Sequence, residues 1–296
     1  MRLIDSHAHL QADAFATDLP GVMAAAREAG VERMLVPGWD VGSSAAAVRL
    51  VREWQGESRP ESGAEWQIDA AVGVHPHDAA AATEAEWSAI VELAAAPEVV
   101  AIGETGLDFD WMHSPYEAQL ANLRRHLRLA LDTGKPAILH CRSAVGARDA
   151  QDALIAELRA AGFGGAAGRG AFGEGAPAVL HSFSGPADYG LAAIEMGLAV
   201  AFGGLVFRRG EEASAEVARL VPGERLLVET DSPYLAPPGV PRGSVPGFSG
   251  RRNSPQWVRV TGQWLADQRG ETTDSIGAGL VAAYDATFRR HSAGPY

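Results

Sequence analysis

The feature that most constrains this chain is an alternation. Short runs of β-branched and leucine residues recur along most of its length, separated by Ala-, Leu-, Arg- and Glu-rich stretches of helical period. Parallel strands covered on both faces read as near-continuous apolar runs, and each return to a parallel neighbour needs a crossover, so the pattern predicts repeated βα units. Eight runs are found, at Leu3 to His7, Val31 to Val36, Ile68 to Val74, Val99 to Ile102, Ala137 to His140, Ala178 to His181, Leu198 to Ala201 and Leu226 to Glu229. Eight is the number that closes a parallel sheet, so the expected fold class is α/β, a single (β/α)8 TIM-like barrel. Barrels of this kind run to ~250 residues or more as one unit, and residues 1–296 are expected to form one domain.

Caps support the helical readings. Ser114, Pro115 and Glu117 offer an N-cap, an N1 proline and an N3 acid ahead of Leu120, Leu123, Leu127 and Leu131, and Gly134 offers a stop. Thr83 with Glu86 repeats the capping box before Trp87, Ile90 and Val91, and two last helices are expected over Pro255 to Arg269 and Thr273 to Arg290. Three stretches break the rhythm: Gln55 to Glu65, the Gly/Ala-rich Gly162 to Pro177, and the Pro/Gly-rich Pro237 to Asn253. The first two precede strands and are read as tolerated loop insertions on the face away from catalysis, while the third either shapes access to the mouth or is merely a long connection.

Composition enters as a set of exclusions. With 47% hydrophobic residues the chain can bury a sizeable core. A formal net charge of -12 argues against broad wrapping of a nucleic-acid backbone, so any such contact must be local, with cations in a carboxylate-lined mouth supplying the positive charge. The single cysteine, Cys141, allows no intramolecular disulfide, and the absence of a leader pattern or a run of about 18 apolar residues gives the expectation of a soluble, cytoplasmic protein with no membrane or evident protein partner. Cys141 itself is expected to be a packed free thiol, pointing away from the side used by its neighbours.

Ligand-type residues stand at the strand ends. His7 and His9, two apart, project to the same side of an extended chain, which suits two ligands on one ion or two exposed histidines. Glu104, His140, His181 and Asp231 each follow a later apolar run. In a closed barrel these ends converge on one mouth, and buried ionisable groups need partners or metal.

The motifs His7-Ala8-His9, Gly73-Val74-His75-Pro76-His77, Gly103-Glu104-Thr105-Gly106-Leu107-Asp108, His140-Cys141-Arg142, His181-Ser182-Phe183-Ser184-Gly185 and Glu229-Thr230-Asp231-Ser232-Pro233-Tyr234-Leu235 resemble, in order and spacing, the TatD family of metal-dependent deoxyribonucleases. The resemblance implies a site for two divalent metal ions, with His7, His9 and Asp231 on one, His140 and His181 on the other, and Glu104 bridging. The sequence agrees in one respect: many related barrel hydrolases bridge their metals with a carbamylated lysine, and the only lysine, Lys135, lies about five residues, or ~16 Å of strand, before His140. The donor set does not distinguish Mg, Mn, Zn, Fe or Ni.

The resemblance further implies catalytic roles for Asp231, as acceptor of a proton from the attacking water or as ligand only, and for Glu104, with His75 near the substrate. His75 and His77 have a second reading as solvated side chains of a turn. Arg142 suits a phosphate oxygen or a surface salt bridge, and Ser184 and Ser232 suit phosphate contacts or helix caps. Arg251, Arg252 and Asn253 resemble a stretch that steadies the mouth, although here the longer Gly239 to Gly250 precedes it. Asp110, between Phe109 and Trp111, departs from the family's aromatic pair and reads as a solvated loop acid or a further metal or base contact. The expected reaction is hydrolysis of phosphodiester bonds in DNA, exonuclease-like, at strand ends or on single strands. The alternatives are a metal-dependent ester hydrolase such as an aminoacyl-tRNA deacylase, or a non-catalytic nucleic-acid-binding relative.

Overall fold

Each of the eight apolar runs forms a strand in the computed structural model, which describes residues 1–57, 66–242 and 250–288. The strands are β1 (Leu3–Asp5), β2 (Val31–Pro37), β3 (Gln67–Val72), β4 (Val99–Asp108), β5 (Ala137–Arg142), β6 (Ala178–Leu180), β7 (Ala199–Phe202) and β8 (Leu226–Val228). They pair in parallel and in sequence order, β1 to β8. The barrel closes through backbone bonds beyond the short first and last strands: Ser6 N donates to Val228 O (3.0 Å), Asp231 N to His7 O (2.8 Å) and His9 N to Ser232 O (2.8 Å). Ala8 N turns the other way, to Leu35 O on β2 (3.0 Å), so the segment bearing His7 and His9 is tied on both sides. No helix among the described residues is long and apolar enough to cross a membrane.

The helices pack outside the sheet and bury one apolar stripe each. In Tyr116–Thr133 the buried stripe carries Leu120, Leu123 and Leu127, and Gly134 ends the helix in the left-handed conformation (φ 66°) that favours glycine. Thr83 and Glu86 form the expected reciprocal capping box. The end of the barrel away from the site is plugged by Tyr284 of the helix Thr273–Thr287, whose hydroxyl bonds Met34 O (2.9 Å) and the buried Asp69 carboxylate (3.1 Å).

Four local expectations need correction. Ser114 does not cap its helix: its hydroxyl donates to His77 O (2.7 Å) and accepts from Ala80 N (3.0 Å), and Pro115 occupies the cap position. The Gly/Ala-rich stretch is not all loop, because Ala166–Phe172 is helical and Phe172 packs its ring on Phe163 at 5.6 Å. Gln55 to Glu57 complete the helix Val41–Glu57, while 58–65, 243–249 and the expected end of the last helix lie outside the described residues. Finally, β4 runs on through Gly103-Glu104-Thr105-Gly106 to Asp108. Glycine is required there, since a Cβ on Gly106 (φ +144°) would overlap the carbonyl oxygen of His140 on β5, and one on Gly73 would lie 2.6 Å from Gly103 Cα.

Candidate metal centre

The barrel mouth gathers all six expected metal-site residues around the carboxylate of Glu104, which is 3% exposed. Its Oε1 lies 3.0 Å from His181 Nε2, 3.2 Å from His140 Nδ1 and 3.4 Å from His75 Nε2. Its Oε2 lies 3.2 Å from His7 Nε2 and 3.7 Å from His9 Nε2. Asp231 Oδ1 joins the second group, 3.4 Å from His9 Nε2 and 3.8 Å from His7 Nε2. Asp231 itself has a left-handed backbone (φ 55°), uncommon for a residue other than glycine, held by its N–H bond to His7 O and by Tyr234 N donating to its carbonyl (2.9 Å).

Outer hydrogen bonds decide which imidazole nitrogens are bare. His9 Nδ1 faces Pro37 O (3.2 Å), His181 Nδ1 faces Glu229 Oε1 (3.1 Å) and His140 Nε2 faces Asp108 Oδ2 (3.2 Å). Each outer nitrogen must carry the proton to meet an oxygen acceptor, so in the neutral ring the inner nitrogen presents a lone pair to Glu104. Lone pairs facing carboxylate oxygens at these distances repel unless a cation or proton lies among them, and the mixed N/O donor set suits a divalent metal. The donors meet closely enough for that: the ligand atoms of His7, His9 and Glu104 lie within 4.8 Å of one another, and His140 Nδ1 and His181 Nε2 lie 3.2 and 3.0 Å from Glu104 Oε1.

The electrostatics follow from the same crowding. Burial works against the charge of Glu104, but His181, His75 and His7 outweigh it and hold the carboxyl well below its usual range. Asp231 is likewise lowered, burial being overcome by His9, His7 and His181, and His181 is raised well above its usual value because Glu104 and Glu229 overcome its burial. His75 behaves differently: burial lowers it to about 4, and its Nδ1 accepts the His77 N–H (3.2 Å), so its neutral ring carries the proton on Nε2, towards Glu104.

The expected substrate residues occupy the rim with partners of their own. Arg142 Nε donates to Asp110 Oδ2 (2.9 Å) and its guanidinium lies 5.0 Å from the Trp111 ring. Ser184 Oγ donates to Glu211 (2.7 Å), while Ser232 Oγ is buried without a protein partner. Arg252 pairs with Asp18 (2.6 Å), and Asn253 Nδ2 donates to Thr230 O (2.8 Å), fastening the turn that bears Asp231. Lys135 bonds Ala94 O (2.6 Å), away from this cluster, and Cys141 packs against the core with its thiol pushed up to about 12 by burial.

Three carboxylates escaped the sequence reading. Asp108 accepts from both His140 and His77 (2.8 Å), and these bonds overcome burial to hold it far below the carboxylate range. Glu229 accepts from His181 Nδ1 and from Ser182 N (2.6 Å). Asp5 takes Thr230 N (2.9 Å) and Thr230 Oγ1 (2.6 Å), joining β1 to the turn after β8, and burial raises its carboxyl to about 8. The available signal was an acid two residues from an expected ligand, as Asp5 is to His7 and Glu229 to Asp231.

Imidazoles bared on their inner nitrogens around a shared carboxylate, at the top of a parallel barrel, place the chain in the class of metal-dependent barrel hydrolases. Comparison with known proteins narrows that class. The family model of the TatD related DNases matches residues 4–289. The chain is 35% identical over 290 residues to the 3'-5' ssDNA/RNA exonuclease TatD of Escherichia coli (strain K12), covering 97% of each chain. It is 32% identical over 274 residues to YabD, a metal-dependent hydrolase of uncharacterized function from Bacillus subtilis (strain 168), covering 93% of this chain and 94% of the other. The crystal structure of YjjV, a TatD homolog from Escherichia coli K12, superposes with a TM-score of 0.78 at 25% identity, covering 97% of this chain and 98% of that one. The chain belongs to the TatD family of metal-dependent hydrolases.

Proposed function

We propose that this protein is a cytoplasmic two-metal exonuclease that removes nucleotides from the 3' end of single-stranded DNA. The observation that carries the reading is the division of labour at Glu104. One carboxylate oxygen faces His7 and His9, with Asp231 alongside, and the other faces His140 and His181. That division supports one cation held by His7, His9 and Asp231, a second held by His140 and His181, and Glu104 shared between them. The two cations, when bound, supply Lewis acidity, lowering the pKa of water and offsetting charge on the phosphoryl oxygens.

The chain's own groups do the rest. Asp231, held ionised, accepts a proton from the attacking water. His75 offers Nε2–H as a neutral hydrogen-bond donor to a phosphoryl oxygen, and Arg142 and Ser184 contact the phosphate after leaving Asp110 and Glu211. The strand polarity rests on the name of the E. coli relative. The test is whether the metal-loaded enzyme releases mononucleotides from a single strand with stepwise shortening of the 5'-labelled remainder. Release should be abolished by EDTA and reduced by at least ~10³-fold in Glu104→Ala, and an intact strand beside hydrolysis of an aminoacyl ester would replace the reading with an ester hydrolase.

A further inference from the structure

The exposed apolar surface of this molecule is unevenly distributed. Eight large apolar side chains are exposed among the described residues, and five of them, Trp111, Met112, Tyr116, Val145 and Tyr234, follow the C-terminal ends of strands, around the mouth. The other three, Val91, Leu191 and Leu220, sit further along outer helices. Exposed apolar groups gathered on one face mark a binding surface. Three of the five are aromatic, and two of these, Trp111 and Tyr234, lie on either flank of the Glu104 cluster. Trp111 is 58% exposed and stacks on His77 (5.9 Å, 12° between planes), which reaches the Oε1 side of the cluster through Asp108 and His140. Tyr234 is 52% exposed, with its ring 6.1 Å from that of His9 on the Oε2 side, and Trp39 lies edge-on to the same histidine at 5.2 Å.

We propose that Trp111 and Tyr234 are base-stacking platforms that hold the nucleobases on either side of the scissile phosphodiester, so that this enzyme grips an unpaired strand by its bases rather than its charge. The inference rests on the nuclease reading of the same site. Two physical arguments favour it. A chain of net charge -12 repels a polyanion at long range and has little to gain from counterion release. Stacking on an aromatic ring needs no charge and tolerates any sequence, because every base has a π-face. It also demands an unpaired strand, because the faces of bases within a duplex are already covered. Trp111 is braced for this role by His77, and the Arg142–Asp110 pair lies beside its ring before Arg142 turns to the phosphate.

The experiment compares an intact single-stranded oligonucleotide with one whose two 3'-terminal nucleotides are abasic. With the intact strand, Trp111→Ala and Tyr234→Ala should each raise KM about 10-fold, with the loss falling on KM rather than kcat. Trp111→Phe and Tyr234→Phe should restore most of the affinity. The wild type should show a similarly raised KM for the abasic strand, and the alanine changes should add nothing further to it. Equal KM values for the two strands in the wild type, or alanine variants that match it on the intact strand, would overturn the proposal. Binding in EDTA, followed by quenching of tryptophan fluorescence, separates this inference from the nuclease reading. Quenching by the intact strand alone supports stacking even if no strand is cut, and equal quenching by both strands refutes it.

Discussion

At the scale of single residues, the site depends on groups that never face its centre. Asp108 and Glu229 each take a proton-bearing nitrogen from an imidazole whose other nitrogen faces Glu104. Replacing either carboxylate by an amide keeps the shape but allows the amide NH₂ to face the imidazole, so the ring loses both its orientation and its tautomer. Asp108→Asn and Glu229→Gln should therefore weaken divalent-metal affinity by roughly 10–100-fold while the fold persists. Competition with a chromogenic chelator reads this directly, and unchanged affinity would mean that the histidines are oriented by packing alone. Sequence pattern exposed the histidines because each follows an apolar run. It could not pair Asp108 with His140, because that pairing depends on the register of β4 against β5, in which Asp108 stands opposite Arg142.

At the scale of elements, the helix Tyr116–Thr133 positions the turn that carries His75. His126 Nε2 accepts the Val74 N–H (3.0 Å), its Nδ1 donates to Asn122 O (2.7 Å), and Asn122 Nδ2 donates to Val74 O (2.7 Å). Both ring nitrogens are thus committed to a neutral tautomer, and burial lowers the ring's pKa to about 3. An unfolded histidine binds its proton near pH 6.5, so the stabilisation from this ring is complete above that pH and is lost progressively towards pH 3. Between pH 7 and 5 the contribution should fall by about 2 kcal/mol, and His126→Gln should remove that part of the slope from urea-denaturation curves. Identical slopes in the two proteins would show that the folded state accommodates a charged ring.

The same scale shows where local sequence was a poor guide. The apolar part of β4 was legible, but its continuation through Gly103 and Gly106 was not, because glycine is a weak strand former and its value lies in the close approach of β3 and β5. Ser114 matched a cap pattern that a tertiary contact with His77 overrode. The helix Ala166–Phe172 was masked by its glycines, whose cost is offset by the packing of Phe172 on Phe163.

At the scale of the whole molecule, closure is what turns scattered residues into a site. His7 and Asp231 lie at opposite ends of the barrel's sequence, yet the bond from Asp231 N to His7 O makes them neighbours. Eight evenly recurring strands imply that closure, which is why the six expected site residues could be read together from sequence while their orienting carboxylates could not. Sharing of Glu104 between two cations fixes the metal content of the protein, which elemental analysis measures. Protein loaded with Mn²⁺ or Zn²⁺ and freed of excess metal should carry two ions per chain, and Glu104→Ala should retain at most one. A single ion in the wild type, or two ions kept by the variant, would contradict it.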